Sequence, residues 1–460
     1  MPRFFVRVVA VLTVVLMTAW GPARAASPVP DIDTGAVAAA MDKPDWVIVD
    51  TRLNSAFNGW KLDRVSRGGH IPGAVDFSAN WLRVDEKGLE KNLEKILAAK
   101  GILPEKHVVL YDANGRDARA VAAFLSAKGY SRLYLYDIHA WANTPGRSLV
   151  QYPNYHRVVP AAVVKAVIDG QPAETFDPGR PVKIVEASWG AEKTSYAKGH
   201  IPGAFHINTD RMEPPTTQDP VMWMLADDKT LAAFALAFGF TRDDTVIVTS
   251  EEPLAAYRVA TVLRYIGVND VRVLNGGTLA WTLAGFDLET RRHDPVPVTD
   301  FGGPIPGNPD VIDTIDEVKA GLKAKERFTL VDNRTWREYI GEVSGYSYHK
   351  KKGRIPGAVY GYAGRDSAYG MEHYRNPDKT MRNAREFLAL WAGQGIDTAT
   401  RLSFMCGSGW RAAEVYYYAD VIGLKEIAVF SDGWIGWSNT PGNPVEMGTP
   451  DRVNAYKIQD

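Results

Sequence analysis

One stretch of this chain has the residue types and spacing for chemistry: Cys406-Gly407-Ser408-Gly409-Trp410-Arg411, which opens on the protein's only cysteine and closes on a permanent cation. Small residues let the backbone curl around the sulfur. Amide N–H groups in such a curl, together with the positive end of a helix beginning at its close, stabilise a thiolate and any anion brought to it. A lone cysteine is ordinarily a small buried hydrophobe. A core cysteine needs neither flanking glycines nor an arginine across the turn, so this pattern favours a nucleophile.

The elements that must position the sulfur are legible around it. Residues 401–405 read as a strand and 412–419 as a helix, so strand, loop and helix converge on Cys406. The arrangement belongs to an internal repeat. Gly69-His70-Ile71-Pro72-Gly73-Ala74 recurs as Gly199-His200-Ile201-Pro202-Gly203-Ala204 and as Gly353-Arg354-Ile355-Pro356-Gly357-Ala358. Upstream of each copy is a short apolar strand ending in an acid, at Asp50, Glu186 and Asp332. Downstream come a second strand (108–111, 246–249, 401–405), an Ala-rich helix, and a third strand leading to a turn that carries Trp141, Trp281 or Trp434 and Trp437. Strands alternating with helices predict a mainly parallel sheet flanked by helices in every copy, with functional loops at the carboxyl ends of strands.

The loop at residues 406–411 resembles the six-residue active loop of rhodanese-like sulfurtransferases. The repeated turn, the acidic strand end and the Trp turn match that family as well, so the resemblance extends over nearly the whole chain. Cysteine phosphatases have a related loop but enclose five residues between Cys and Arg, where this chain encloses four; the shorter loop suits a sulfane sulfur. The start Cys-Gly-Ser-Gly is similar to mercaptopyruvate sulfurtransferases. Trp410 and Arg411 are closer to the thiosulfate-using branch and to periplasmic proteins with three rhodanese domains.

The resemblance implies an α/β fold of three tandem rhodanese-like domains: 26–152 and 153–298, both inactive, and a catalytic 299–460, after a signal peptide at 1–25. It also implies attack of Cys406 on a donor's outer sulfur, giving a persulfide that passes to an acceptor. Cys406 and Arg411 are then catalytic, and Gly407, Ser408, Gly409, Trp410, Arg334 and Arg354 bind substrate. Two tasks stay open for Arg411: holding the donor's departing sulfite or carboxylate, or fixing the loop through an acid such as Asp332 or Glu414. Arg334 either reaches the mouth of the loop or pairs with Asp332 or Glu338.

The other copies lack a thiol. Asp112 stands where the first copy would need its nucleophile, and Ser250, followed by Glu251, Glu252 and Pro253, stands there in the second. A carboxylate repels an anion and a proline removes an amide donor; scaffold is the expected role of these copies, with partner recognition the alternative. His70 and His200, in the repeated turn, read as structural. No metal-ligand spacing is seen and no metal or organic cofactor is expected.

Length and composition agree. At 460 residues, with formal charge −1, the chain is long enough for about three domains and shows no bias toward nucleic acid. Arg3 and Arg7, an apolar run over 8–20 and Ala23-Arg24-Ala25 read as a cleaved signal peptide, too short to span a bilayer. The expectation is a periplasmic protein with no stable membrane anchor after cleavage. Its partners would be a small anionic sulfur donor, thiosulfate or 3-mercaptopyruvate, and a thiol, cyanide or protein acceptor. The competing reading is a sulfur or chalcogen carrier, or an assembly protein, with little turnover.

Overall fold

The computed structural model describes residues 29–217, 221–324 and 327–450; the expected signal peptide lies outside the described residues. Three parallel sheets follow one another along the chain. In the first, Trp46–Asp50 lies between Val75–Asp76 and His107–Asp112, with Leu133–Asp137 beyond. In the second the order is Val158–Val159, Asp270–Leu274, Thr245–Thr249, Val182–Ser188, Phe205–Asn208. In the third it is Ile312–Asp313, Ile427–Phe430, Arg401–Met405, Phe328–Asp332, Val359–Tyr360. The first sheet keeps a remnant of the same fifth position, a parallel bridge from Asp31 to Leu135. Central strands such as Val246-Ile247-Val248 are buried because helices cover both faces, as their unbroken β-branched runs require.

The second and third units share one core. The helix after each central strand, Pro253–Ile266 in the second unit and Trp410–Val421 in the third, is buried almost all round, and the two pack against each other. A helix apolar on every face must find cover on every face. Ion pairs tie the junction: Arg264 donates to Asp420 at 2.8 Å, and Arg375 of the third unit holds Glu414 of its own unit at 2.6 Å and Glu252 of the second at 2.7 Å. The first unit docks on both neighbours by directional bonds: Asn275 to Asn54 (2.9 Å), the Trp60 indole to the Val158 carbonyl (2.9 Å) and Asn383 to Asp76 (2.9 Å). Among the described residues no helix is long and apolar enough to cross a membrane.

Candidate active site

The strand Arg401–Met405 ends under Cys406, and the loop that follows is fixed from three sides. From below, the short helix Gly433–Asn439 donates its first amides to the loop: Trp434 N–H to the Cys406 carbonyl at 2.8 Å and Ile435 N–H to the Gly407 carbonyl at 3.0 Å. With those carbonyls turned to the helix, the trans peptide planes aim the N–H groups of Gly407 and Ser408 the opposite way. On a second side stands Tyr346, so close that a Cβ at residue 407 would collide with its hydroxyl; glycine is required there. On the third, Arg258 of the second unit lies under Gly409, where a Cβ would come within 2.7 Å of Nη1 and where φ is +86°.

Arg411 fixes the loop. Its guanidinium makes two parallel, buried bonds of 2.9 Å to Glu338 and a third, part-buried, of 2.7 Å to the Tyr346 hydroxyl. The acid is neither Asp332 nor Glu414. Asp332 is taken by Arg334, and Glu414 by Arg375. Glu338 is placed by a capping box with Thr335. Burial would raise its pKa, but Arg411, in charge and hydrogen bonds, with help from Arg334, overrides that and brings it down to about 2. The Arg411 Nε–H has no protein partner among the described residues and remains a spare buried donor.

The substrate role expected of Arg334 and Arg354 has no geometric basis. Arg334 is fully buried, clamped on Asp332 (2.6 and 2.8 Å) and the Gly353 carbonyl (2.9 Å), and stacked over Trp434. The first unit has the same clamp, Arg52 on Asp50 and the Gly69 carbonyl, beside a loop with no thiol. It is a brace of the fold. Arg354 sits over Tyr339 and pairs with Glu446 at 3.2 Å. Neither lines the cavity above the sulfur, whereas Cys406, Ser408, Trp410 and Arg411 do.

That cavity, of about 260 Å³, lies between the second and third units. Its aromatic walls are Trp189 and Trp223 from the second unit and Tyr346, Tyr348, Tyr369 and Trp410 from the third. Trp189 stacks on Trp410 (centroids 4.9 Å apart, 14° between planes) and meets Tyr369 edge-on; Trp223 meets Tyr348 edge-on. Asp210 and Glu213 add carboxylates. Glu213 bonds Arg258 (2.6 Å) and the Trp410 indole (2.7 Å), and burial raises its pKa despite them. Burial also holds the Tyr346 and Tyr348 hydroxyls protonated well above their usual range. The walls from the second unit were missed by sequence reasoning. Those residues carry no motif, and their unit reads as scaffold.

The thiol-less loops are closed by their own side chains. Sheet register sets Tyr111, Thr249 and Met405 opposite Asp50, Glu186 and Asp332, so Asp112 and Ser250 occupy the place of Cys406. Asp112 accepts from the amides of Gly115 (3.1 Å) and Ala118 (3.0 Å), filling the cradle with an internal carboxylate. The Ser250 hydroxyl donates to the Glu252 carbonyl (2.8 Å), and Glu252 pairs outward with Arg375.

A wrapped cysteine loop at the carboxyl end of a parallel sheet, three times repeated in scaffold and once in thiol, defines a class. The rhodanese-like domain model matches residues 33–144, 168–284 and 314–440, and the chain belongs to that family. It is a sulfurtransferase by class. The thiosulfate sulfurtransferase YnjE of Escherichia coli is 36% identical over 87% of this chain and 88% of its own. Among solved structures, the anaerobic ergothioneine biosynthesis enzyme of Chlorobium limicola, in complex with trimethyl histidine, is 34% identical and superposes with a TM-score of 0.84 over 92% of this chain and all of its own (100%). A structure of EanB bearing a cysteine persulfide, in a tetrahedral intermediate state with ergothioneine, is likewise 34% identical, with a TM-score of 0.84 over 91% of this chain and 100% of its own.

Proposed function

We propose that this protein transfers sulfane sulfur through a persulfide on Cys406 to a small organic acceptor that is aromatic, cationic or both. The observation that carries the reading is the wall above the sulfur: stacked aromatics and the Asp210 carboxylate, with Arg411, the one lining cation among the described residues, already committed to Glu338, and Glu213 to Arg258. Aromatic faces and carboxylates attract a positively charged, flat molecule and do little for a dianion. EanB, which binds hercynine and ergothioneine, supplies the chemical class of acceptor.

Loading needs only a small donor. The Cys406 thiolate attacks the outer sulfur of thiosulfate, that S–S bond breaks, and sulfite leaves with the electron pair. The acceptor's nucleophilic atom then attacks the terminal sulfur, and the Cys406 thiolate departs. Loop amides and the spare Arg411 Nε–H favour the charged persulfide, and the aromatic walls limit water around it. The relative YnjE favours thiosulfate as donor; the Cys-Gly-Ser-Gly start keeps 3-mercaptopyruvate as the alternative. Export through residues 1–25 to the periplasm belongs to the same proposal, and the N-terminal residue of the mature protein checks it.

The deciding experiment separates the two half-reactions. Mass spectrometry after thiosulfate or 3-mercaptopyruvate should show one added sulfur on Cys406. The loaded protein, freed of donor, should then discharge to hercynine-like betaines faster than to cyanide or glutathione at equal concentration. Discharge to cyanide and thiols alone would return the protein to the plain thiosulfate sulfurtransferase reading; no discharge to any small molecule, with transfer to a protein, would make it a carrier.

A further inference from the structure

In all three units the residue after the glycine of the repeated turn forms a two-bond antiparallel bridge with the tail that follows the Trp turn: His70 with Val150, His200 with Glu289, Arg354 with Glu446, each N–H···O between 2.8 and 3.0 Å. The side chains at this position stack on equivalent aromatics, Phe57, Tyr196 and Tyr339. The backbone is thus constant and only the chemistry across the bridge differs. In the first unit the partner is apolar. The third unit places a carboxylate, Glu446, and meets it with the guanidinium of Arg354 at 3.2 Å. The second unit places a carboxylate too, Glu289, but meets it with two imidazoles, His200 and His293.

The two rings are presented as ligands. His200 is fully buried and its Nδ1 lies 2.8 Å from the Tyr196 carbonyl, so that nitrogen carries a proton and Nε2 is the ring's remaining ligand atom. That Nε2 lies 3.9 Å from the Glu289 carboxylate and 3.1 Å from the Arg291 carbonyl oxygen; both oxygens are acceptors, so a cation belongs between them and the ring, either a second ring proton or a metal ion in its place. His293 Nε2 lies 2.7 Å from the same Glu289 oxygen, and its backbone N–H is held by the Tyr196 hydroxyl at 3.0 Å. Glu289 is anchored by the Gly203 amide, and the exposed Arg291 guanidinium stands 3.7 Å from its outer oxygen. One ligand atom from each of the three lies within 4.8 Å of the others. Donor atoms around a tetrahedral zinc are about 3.3 Å apart, given bonds of about 2.0 Å, and the observed 2.7 and 3.9 Å separations bracket that value.

We propose that His200, Glu289 and His293 bind a divalent transition-metal ion of the zinc class, which pins the tail of the second unit to its repeated turn as the Arg354–Glu446 pair does in the third. Two imidazoles and one carboxylate suit zinc and its neighbours and are too nitrogen-rich for magnesium or calcium. The reading of His200 as a purely structural histidine is thereby extended: its Nδ1 is structural and its Nε2 is a ligand. It departs from the expectation, made from the sequence, that the chain holds no metal.

The test uses the full chain, stripped with chelator, as the Cys406→Ser variant so that sulfur cannot compete. Calorimetric titration with zinc chloride should give one ion per chain and a higher melting temperature on loading, and cobalt should show the visible bands of a low-coordinate N/O site. His293→Ala, at a partly exposed side chain, and the near-isosteric Glu289→Gln should each weaken zinc binding at least about tenfold, with the circular-dichroism spectrum unchanged. Either variant suffices if the other misfolds. No binding to the Cys406→Ser chain, or binding that both variants leave intact, would overturn the proposal.

Discussion

At the scale of residues, the site is a sulfur whose loop is fixed by a buried ion pair, Arg411 with Glu338. Cys406→Ser should lose the persulfide in the mass spectrum and keep the melting temperature, since the loop's geometry comes from backbone bonds and Arg411. Arg411→Ala strands the Glu338 carboxylate in a dry pocket. Removing one partner of a buried pair typically costs about 3–5 kcal/mol, so this variant should melt well below wild type; unchanged stability with lost loading would give Arg411 a catalytic role only. The Glu338 pKa predicts a pH dependence. Folded at about 2, against 4.5 ordinarily, Glu338 contributes stability that is fully present above pH 4.5 and is lost as pH falls toward 2. That contribution is of the order of 3 kcal/mol. Urea unfolding at pH 6 and pH 3 should therefore show a smaller acid loss in Glu338→Gln than in wild type, on a lower baseline.

At the scale of elements, the second unit builds half of the cavity although its own loop is closed. Trp189 is 42% exposed and stacks on Trp410 at the cavity mouth, so it can be removed without opening a core. Trp189→Ala and Trp223→Ala should leave persulfide loading from thiosulfate within about twofold, yet raise the acceptor concentration needed for discharge by about tenfold or more, in line with a lost aromatic contact of 1–2 kcal/mol. Equal loss in both half-reactions would make these rings structural. The tight fit of Arg258 beneath Gly409 predicts that Gly409→Ala, strained in the left-handed region and against Nη1, loses loading through a displaced loop while the rest of the fold persists.

At the scale of the whole molecule, two helices buried in one shared core make the second and third units inseparable. A fragment beginning near Asp310 would expose the Tyr417 and Tyr418 face of Trp410–Val421 and lose the walls Trp189 and Trp223. It should aggregate, whereas the full chain should stay soluble and load sulfur; size-exclusion chromatography and mass spectrometry distinguish the two. A monomeric, fully active third unit would show that the shared core is dispensable. What the sequence determined by itself was everything encoded locally or by repetition. Glycine turns, strand periods and the Cys406 loop declare the triplicated α/β fold and the nucleophile because backbone geometry and a thiol's surroundings are short-range matters. Partners of the buried charges were decided only in three dimensions. Arg411 found Glu338 and not Asp332 or Glu414, Arg334 turned inward to Asp332, and His200 met Glu289 and His293 across a bridge. The acceptor cavity, too, arose where two units meet. Pairing and enclosure depend on which side chains the packed sheets bring within a few ångströms, and a linear order of residues does not contain those distances.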